Sequence, residues 1–361
     1  MEEKYYLWLH NVSSVGRVTF RKILKNATPR EFYENDLEKS FDFLTKKQIE
    51  NIQKSKKKWD LDKEWNVLKE RGIHLYCLNQ TGYPQKLSKI CDPPPVLYHK
   101  GKVDILDKPS VAVVGARACS NYGYLAAKEL GKELAEAGIV VVSGMARGID
   151  GICQWEALKY EGDSIGVLGC GVEVCYPPEN KVLFERLQSQ GAIVSENSPF
   201  MAPSAGLFPL RNRIISGLAD VVVVVEAREK SGTLITVDMA LEQGREVYVF
   251  PGRITDTVSR GCNKLMKQGA GIILSVEEFL EEICLFLKIK YQEKEILKEQ
   301  SFSPEEKRVL DVMDVSLMSI EEIYVKINQT GEELPLTKLM EMLLELRLKG
   351  ILGEENGYYF L

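Results

Sequence analysis

Short apolar runs rich in β-branched residues alternate with segments of helical spacing through the middle of the chain. A strand that is apolar on both faces is typical of a parallel sheet covered by helices on each side. The alternation therefore predicts an α/β fold with a Rossmann-like, doubly wound parallel sheet as its core. The predicted strands are Val111–Val114, Ile139–Val142, Ile165–Leu168, Ile193–Ser195, Val221–Val225, Val247–Phe250 and Ile272–Leu274.

Other patterns flank this predicted core at 105–287. Residues 1–82 read as a small helical domain of the SAM-like or helix-hairpin-helix kind, because amphipathic segments surround the turn at 11–16. Residues 83–104 are rich in proline, whose fixed φ favours an extended connecting arm.

The C-terminal part of the chain has a pattern of its own. The charged stretch at 288–301 is predicted to be a linker. Residues 302–361 show three helical segments, at about 303–314, 319–328 and 335–349, followed by Asn356-Gly357, a hairpin signal. Three helices and a terminal hairpin predict a winged helix.

Composition and charge narrow the function classes. The net charge of −5 argues against a nucleic-acid binder, yet residues 1–104 carry 20 lysines and arginines against 14 acidic residues. The eight cysteines form no Cys-x-x-Cys pair, which argues against a zinc site or a disulfide framework. The longest apolar runs fall short of the ~20 residues that span a bilayer, so we expect a cytoplasmic protein without a membrane span.

Glycines, arginines and hydroxyl side chains follow the predicted strands. In an open parallel sheet, ligands bind outside the carboxyl ends of the strands. Glycine lets a phosphate approach the backbone, helix N-termini attract anions, and arginine binds phosphate oxygens in a bidentate manner. These properties select candidate nucleic-acid-binding residues: Gly115, Arg117, Ser120, Gly144, Arg147, Gly148, Phe208, Arg211, Asn212, Arg213, Lys230, Ser231, Gly232 and Thr233.

Several cationic loops at one sheet edge are suited to an extended polyanion, since one loop alone holds one phosphate group. Aromatic side chains stack on unpaired bases, and Phe208 is the preferred candidate. The alternative is that the arginines pair with carboxylates such as Asp150 and Glu226. The chain lacks Gly-x-Gly-x-x-Gly after the first strand and lacks a P-loop, so no dinucleotide or ATP cofactor is expected. The scattered cysteines and histidines predict no metal cofactor either.

At these loops the sequence resembles the DNA-processing protein A (DprA/Smf) family. The resemblance rests on motifs in family order: Tyr83-Pro84, Asp92-Pro-Pro-Pro95, Gly115-Ala-Arg117, Ser143-Gly-Met-Ala-Arg-Gly-Ile-Asp-Gly151, Tyr176-Pro177, Ser195-Glu196, Phe208-Pro-Leu-Arg-Asn-Arg213, Ser231-Gly-Thr233 and Pro251-Gly252. It implies a protein that binds incoming single-stranded DNA during natural transformation, dimerises through the Rossmann-like domain and loads RecA recombinase. It also implies phosphate contacts at Arg117, Arg211 and Arg213.

The sequence departs from the family pattern at two places. Gln154 occupies a position where relatives commonly carry histidine, and no lysine stands between Ser198 and Leu207.

Two other functions stay open at this point. A nucleotide-processing enzyme of the phosphoribohydrolase type would use Glu196 or Glu226 as acid or base. A transcription factor would use the third helix of the winged helix, whose Lys338, Arg347 and Lys349 are interspersed with acidic residues. The expectation is a non-catalytic protein.

Overall fold

The computed structural model describes residues 2–289, 303–313, 318–329, 334–348, 351–355 and 357–360. The chain forms two compact units, Met1–Tyr291 and Gln292–Leu361, which are described separately below. From residue 290 onward the predicted linker lies outside the described residues.

A nine-stranded sheet is the centre of the first unit. Its strands are β1 His74–Cys77, β2 Val96–Gly101, β3 Ser110–Val114, β4 Val140–Ser143, β5 Ser164–Val167, β6 Ala192–Ser195, β7 Val221–Val224, β8 Glu246–Val249 and β9 Gly271–Ile272. They lie in the order β1-β2-β6-β5-β4-β3-β7-β8-β9. The seven strands from β3 to β9 are mutually parallel, which confirms the predicted parallel sheet, with strand boundaries that differ by one or two residues.

Helices cover both faces of this sheet. The helices of this unit are α1 Glu3–His10, α2 Arg17–Asn26, α3 Pro29–Glu34, α4 Leu37–Ser40, α5 Lys46–Lys58, α6 Leu61–Glu70, α7 Gln85–Ser88, α8 Asn121–Glu136, α9 Ile149–Lys159, α10 Lys181–Gln190, α11 Leu207–Leu218, α12 Gly232–Glu242, α13 Arg260–Lys267 and α14 Val276–Leu287. Alternate residues of β3 point to opposite faces, as the strand geometry requires. Val111 and Val113 belong to the core under α8, α9 and α14, whereas Ala112 and Val114 belong to the core under α11 and α12.

The segment at 83–104 differs from a simple connecting arm. It contains α7 and then β2, which pairs antiparallel with β1 on one side and with β6 on the other. The prolines at 93–95 precede β2, where a missing N–H leaves the ladder intact. Buried Tyr98 of β2 packs in one core with the N-terminal helices, so this strand joins those helices to the sheet.

The second unit contains three helices and three short strands within its described residues. They are α15 Pro304–Val312, β10 Met318–Ser319, α16 Ile320–Gln329, α17 Leu336–Leu348, β11 Gly353–Glu355 and β12 Tyr358–Phe360. Ser303 begins α15 with a capping box in which its hydroxyl accepts from Glu306 N–H. Strand β12 pairs with both β10 and β11. Asn356 of the predicted hairpin signal lies outside the described residues.

Candidate nucleic-acid interface

The order of the parallel strands reverses at β3. Strands β4, β5 and β6 lie to one side of it, and β7, β8 and β9 lie to the other. After β3 the chain crosses to β4 on one side, and after β7 it crosses to β8 on the other side. The loops that follow these two strands therefore diverge and leave a crevice at the carboxyl edge of the sheet. An open cleft of about 630 Å³ lies there. It is lined by Val114, Gly115, Ala116, Arg117, Ala146, Asp150, Tyr176, Pro203, Ser204, Ala205, Phe208, Pro209, Arg211, Asn212, Ile215, Ser231, Gly232, Thr233, Ile235 and Thr236.

Arg117 lies in the loop after β3 and is exposed at the cleft. Gly148 has φ of +71°, and a Cβ at this position would overlap the carbonyl oxygens of Ala116 and Arg117. Ile149 N–H donates to Ala116 O at 3.3 Å, so the start of α9 holds the loop in place. Arg117 makes no ion pair with any described residue, and its Cζ lies 6.0 Å from the centroid of the Phe208 ring.

Arg211 forms the floor of the cleft from α11. It is buried, and its Nη1 donates to Gly144 O at 2.8 Å and to Val167 O. Burial lowers the pKa of Arg211 to about 10, although the neighbouring Asp150 acts in the opposite direction, so the guanidinium stays charged at neutral pH. A Cβ at Gly144 would overlap both the Arg211 guanidinium and the Asp150 carboxylate, which explains the glycine.

Asp150 is the acidic group of this floor, for which the sequence alone suggests only an ion pair with an arginine. Its Oδ2 accepts from Gly144 N–H at 3.1 Å. Burial raises the pKa of Asp150, and the charge of Arg211 opposes that shift. A carboxyl group beside a buried arginine reduces the net positive charge at the floor but leaves Arg117 uncompensated.

Two aromatic rings form one wall. The rings of Tyr176 and Phe208 have centroids 5.3 Å apart and planes inclined by 31°. Gly169 is required behind them, because a Cβ there would lie 2.7 Å from the Phe208 ring. A smaller pocket of about 90 Å³ adjoins the cleft between these rings, Arg147 and Arg211. Aromatic faces beside guanidinium groups provide the contacts that a base and its phosphate need.

The N-terminus of α12 also lines the cleft. Ser231 caps the helix by accepting from Thr233 N–H at 3.2 Å, and Thr233 Oγ1 donates to Gly115 O at 3.2 Å. A Cβ at Gly232 would meet open space, so the backbone at this helix start is accessible. Lys230 is exposed just before it and makes no ion pair with a described residue. The helix dipole and Lys230 both favour an anion here.

Arg213, which the sequence predicts to contact a phosphate, is paired inside the fold instead. Its side chain is only 7% exposed, and its Nη1 and Nη2 donate to the two carboxylate oxygens of Glu196 at 2.7 and 2.6 Å. Its Nε donates to Asp92 O at 2.9 Å, and the Asp92 carboxylate lies 3.4 Å away. The alternative that an arginine of this motif pairs internally is therefore the one that the structure shows for Arg213.

Other candidates also have structural partners. Arg147 is exposed but pairs with Glu179. Ser120 caps α8, and its hydroxyl and N–H both donate to Glu226. Asn212 is half-buried at the cleft and accepts from Arg211 Nε at 3.3 Å. Together the candidates that line or border the cleft with an accessible group are Arg117, Arg211, Phe208, Lys230, Ser231, Gly232 and Thr233.

Gln154 has a structural role. It is fully buried, its Nε2 donates to Ile165 O at 3.0 Å, and its Oε1 accepts from Met145 N–H at 3.0 Å. It therefore joins α9 to β5 and to the loop after β4. The two glutamates suggested for an enzymatic role, Glu196 and Glu226, accept hydrogen bonds from Arg213 and Ser120.

Comparisons with known proteins agree with the motifs. Residues 74–284 match the family model of DNA recombination-mediator protein A. DNA processing protein DprA of Bacillus subtilis is 42% identical over 216 residues, which is 60% of this chain and 73% of that protein. The X-ray structure of DNA processing protein A from Streptococcus pneumoniae has a TM-score of 0.68 at 32% identity and covers 80% of this chain and 99% of its own.

A second structure is DNA processing protein A from Helicobacter pylori, described for its single-stranded DNA binding mode. It has a TM-score of 0.55 at 31% identity and covers 60% of this chain and 98% of its own. As a separate finding, no helix within the described ranges combines the length and the hydropathy needed to cross a bilayer.

Proposed function

Because the chain belongs to the DNA recombination-mediator protein A family, we propose that it binds single-stranded DNA in the cleft at the carboxyl edge of its sheet. The proposal includes delivery of that strand to RecA recombinase during natural transformation. Its relative from Helicobacter pylori is described as binding single-stranded DNA, which supports the ligand class. The observation that carries the proposal is the cleft itself, which is lined by Arg117, the start of α12 and the Tyr176–Phe208 pair.

The chemistry of the cleft suits a single strand better than a duplex. Unpaired bases expose the faces that Tyr176 and Phe208 can stack on, whereas bases in a duplex are already stacked. Arg117, Lys230 and the start of α12 supply separate sites for successive phosphates. These contacts read no base edge, so the binding is sequence-tolerant and strongly dependent on salt.

The architecture that we propose follows the same family. The parallel strands within 105–287 form a Rossmann-like, doubly wound core to which β1 and β2 add at one edge. Residues 1–82 form a SAM-like domain, and residues 302–361 form a winged helix. In the latter, Lys338 lies 3.6 Å from Glu341 and Arg347 pairs with Glu354, which leaves little basic surface on α17. Lys349 lies outside the described residues. We assign an accessory role to the winged helix. We also propose that the active form is a homodimer through the Rossmann-like domain and that the protein is located in the cytoplasm.

The proposal is tested by competition between single- and double-stranded DNA in gel shifts at several salt concentrations. Wild type is expected to prefer the single strand, and Arg117→Ala to bind it more weakly. A charge-assisted hydrogen bond contributes about 1.5–3 kcal/mol, so the loss is expected to be about 10- to 150-fold. Arg253→Ala removes an exposed arginine that does not line the cleft and is the matched control. Equal affinity of both variants for single strands contradicts the assignment.

The nucleotide-processing alternative has a separate test. Its acid or base would be Glu196 or Glu226, and each of these carboxylates accepts hydrogen bonds inside the fold. We therefore propose that the protein performs no covalent chemistry on nucleotides. Incubation with nucleoside monophosphates, followed by chromatography for released base, is expected to show none. Turnover that disappears in Glu226→Gln would overturn the non-catalytic assignment.

A further inference from the structure

Phe200 is an exposed aromatic residue outside the cleft. It lies in the loop between β6 and α11 and is 55% exposed. The same loop continues to Pro203, Ser204 and Ala205, which line the cleft. Three residues of extended chain span at most about 10 Å, so Phe200 lies within about that distance of the cleft wall.

The backbone on both sides of Phe200 is held in place. Glu173 N–H donates to Pro199 O at 2.9 Å, and Gly171 N–H donates to Met201 O at 2.9 Å. Gly171 permits this close approach, since a Cβ there would overlap the carbonyl oxygens of Ser198 and Pro199. The ring is therefore presented to solvent from an anchored position, which limits the conformational entropy that it loses when it binds a ligand.

A guanidinium group lies on this ring. The Cζ of Arg71, at the end of α6, is 4.7 Å from the centroid of Phe200, and the Arg71 side chain is 50% exposed. Its nearest carboxylate, Glu173, lies 4.0 Å away but is shared with Lys100 at 2.9 Å. Two cations therefore face one anion, and the local charge stays positive.

This pair repeats the chemistry of the cleft, where Arg117 lies over Phe208. We propose that Phe200 and Arg71 form a second nucleotide subsite, which stacks a base and binds a phosphate of the strand as it leaves the cleft past Pro203. The inference rests on the proposed function. It makes the N-terminal helices part of the DNA path, because Arg71 belongs to that part of the chain and not to residues 105–287.

The test compares oligothymidylates of two lengths by fluorescence anisotropy, roughly 5 and roughly 15 nucleotides. Phe200→Ala is expected to weaken binding of the longer strand roughly five- to 150-fold, the range of one lost base stack, and to leave the shorter one unchanged. Arg71→Ala is expected to reduce the salt slope for the longer strand by about 0.7, the value for one phosphate contact. Phe200→Trp keeps a stacking face and is expected to restore affinity.

Matched controls use the same chemistry elsewhere. Tyr160 is 39% exposed and has Lys132 and Lys159 at 5.6 and 5.4 Å from its ring, but it follows α9 at the opposite sheet edge. Lys69 is an exposed cation of α6 whose Nζ lies 5.6 Å from the centroid of the Trp65 ring. Tyr160→Ala and Lys69→Ala are both expected to bind like wild type. Equal loss for both strand lengths in Phe200→Ala, or no loss for either, overturns the subsite. If Arg117→Ala loses affinity at both lengths while Phe200→Ala loses none, the subsite alone fails; if wild type binds neither strand, the proposed function fails.

Discussion

Replacing Arg213 tests whether this residue stabilises the fold rather than binding DNA. The side chain is 7% exposed and makes bidentate hydrogen bonds to Glu196 at 2.7 and 2.6 Å. Arg213→Ala leaves the Glu196 carboxylate, whose side chain is 11% exposed, without its partner. Breaking a buried ion pair in this way costs about 3–5 kcal/mol, so the free energy of unfolding is expected to fall by that amount.

Urea unfolding followed by tryptophan fluorescence is a suitable assay. All four tryptophans belong to the first unit, at positions 8, 59, 65 and 155, so the signal reports on that unit. Arg213→Ala is expected to lower the urea midpoint. Arg117→Ala is expected to change the free energy of unfolding by less than about 0.5 kcal/mol, because Arg117 is an exposed, unpaired residue. In the absence of urea, Arg117→Ala is expected to weaken binding of single-stranded DNA, whereas Arg213→Ala is expected to change it less.

A double-mutant cycle with Glu196→Ala separates the pair from other effects. Once Arg213 is absent, removal of Glu196 is expected to cost much less than it costs in wild type, because the two residues interact directly. The reasoning is refuted if Arg213→Ala keeps the wild-type midpoint and weakens DNA binding as strongly as Arg117→Ala. In that case the guanidinium would contact the strand and the ion pair would open on binding.

Further predictions follow from single positions. Gly148→Ala adds a Cβ that overlaps the carbonyl of Arg117 at a φ of +71°, so it is expected to displace that loop and weaken DNA binding; wild-type affinity in anisotropy contradicts this. Phe208→Ala is expected to weaken binding with an unchanged salt slope, whereas a reduced slope would indicate a lost phosphate contact. Burial lowers the pKa of His99 to about 4, so the unfolded chain binds a proton that the folded one does not as the pH falls from about 6.5 to about 4. The free energy of unfolding is therefore expected to fall with pH in this window, and less steeply in His99→Gln; equal slopes contradict the assignment.

The parallel sheet was predictable because its strands are apolar on both faces. Runs such as Val221–Val225 leave no polar face for solvent, which indicates burial on both sides. Strands β1 and β2 lack this signal, since His74 and His99 interrupt their apolar positions and prolines precede β2. Strand β2 joins the sheet by pairing with β6, and β1 joins it by pairing with β2. The β2–β6 pairing is a long-range contact that local spacing does not encode.

The position of the cleft was predictable from strand ends, but the partners of the charged groups around it were not. Arg211 and Arg213 are two residues apart on one helix, yet one lines the cleft and the other is buried against Glu196. Their different directions follow from the helical rotation of about 100° per residue together with the packing of α11 on the sheet. The Arg71–Phe200 contact joins residues far apart in the chain, and neither residue belongs to a local motif.

The location of the bound strand is the most direct test of the central claim. Single-stranded DNA that carries photoreactive 5-iodouracil can be cross-linked to the protein, and the modified peptides identified by mass spectrometry. The account predicts cross-links at Tyr176 and Phe208, which are reduced in Arg117→Ala. Cross-links confined to α17, with none on the cleft wall, would contradict it.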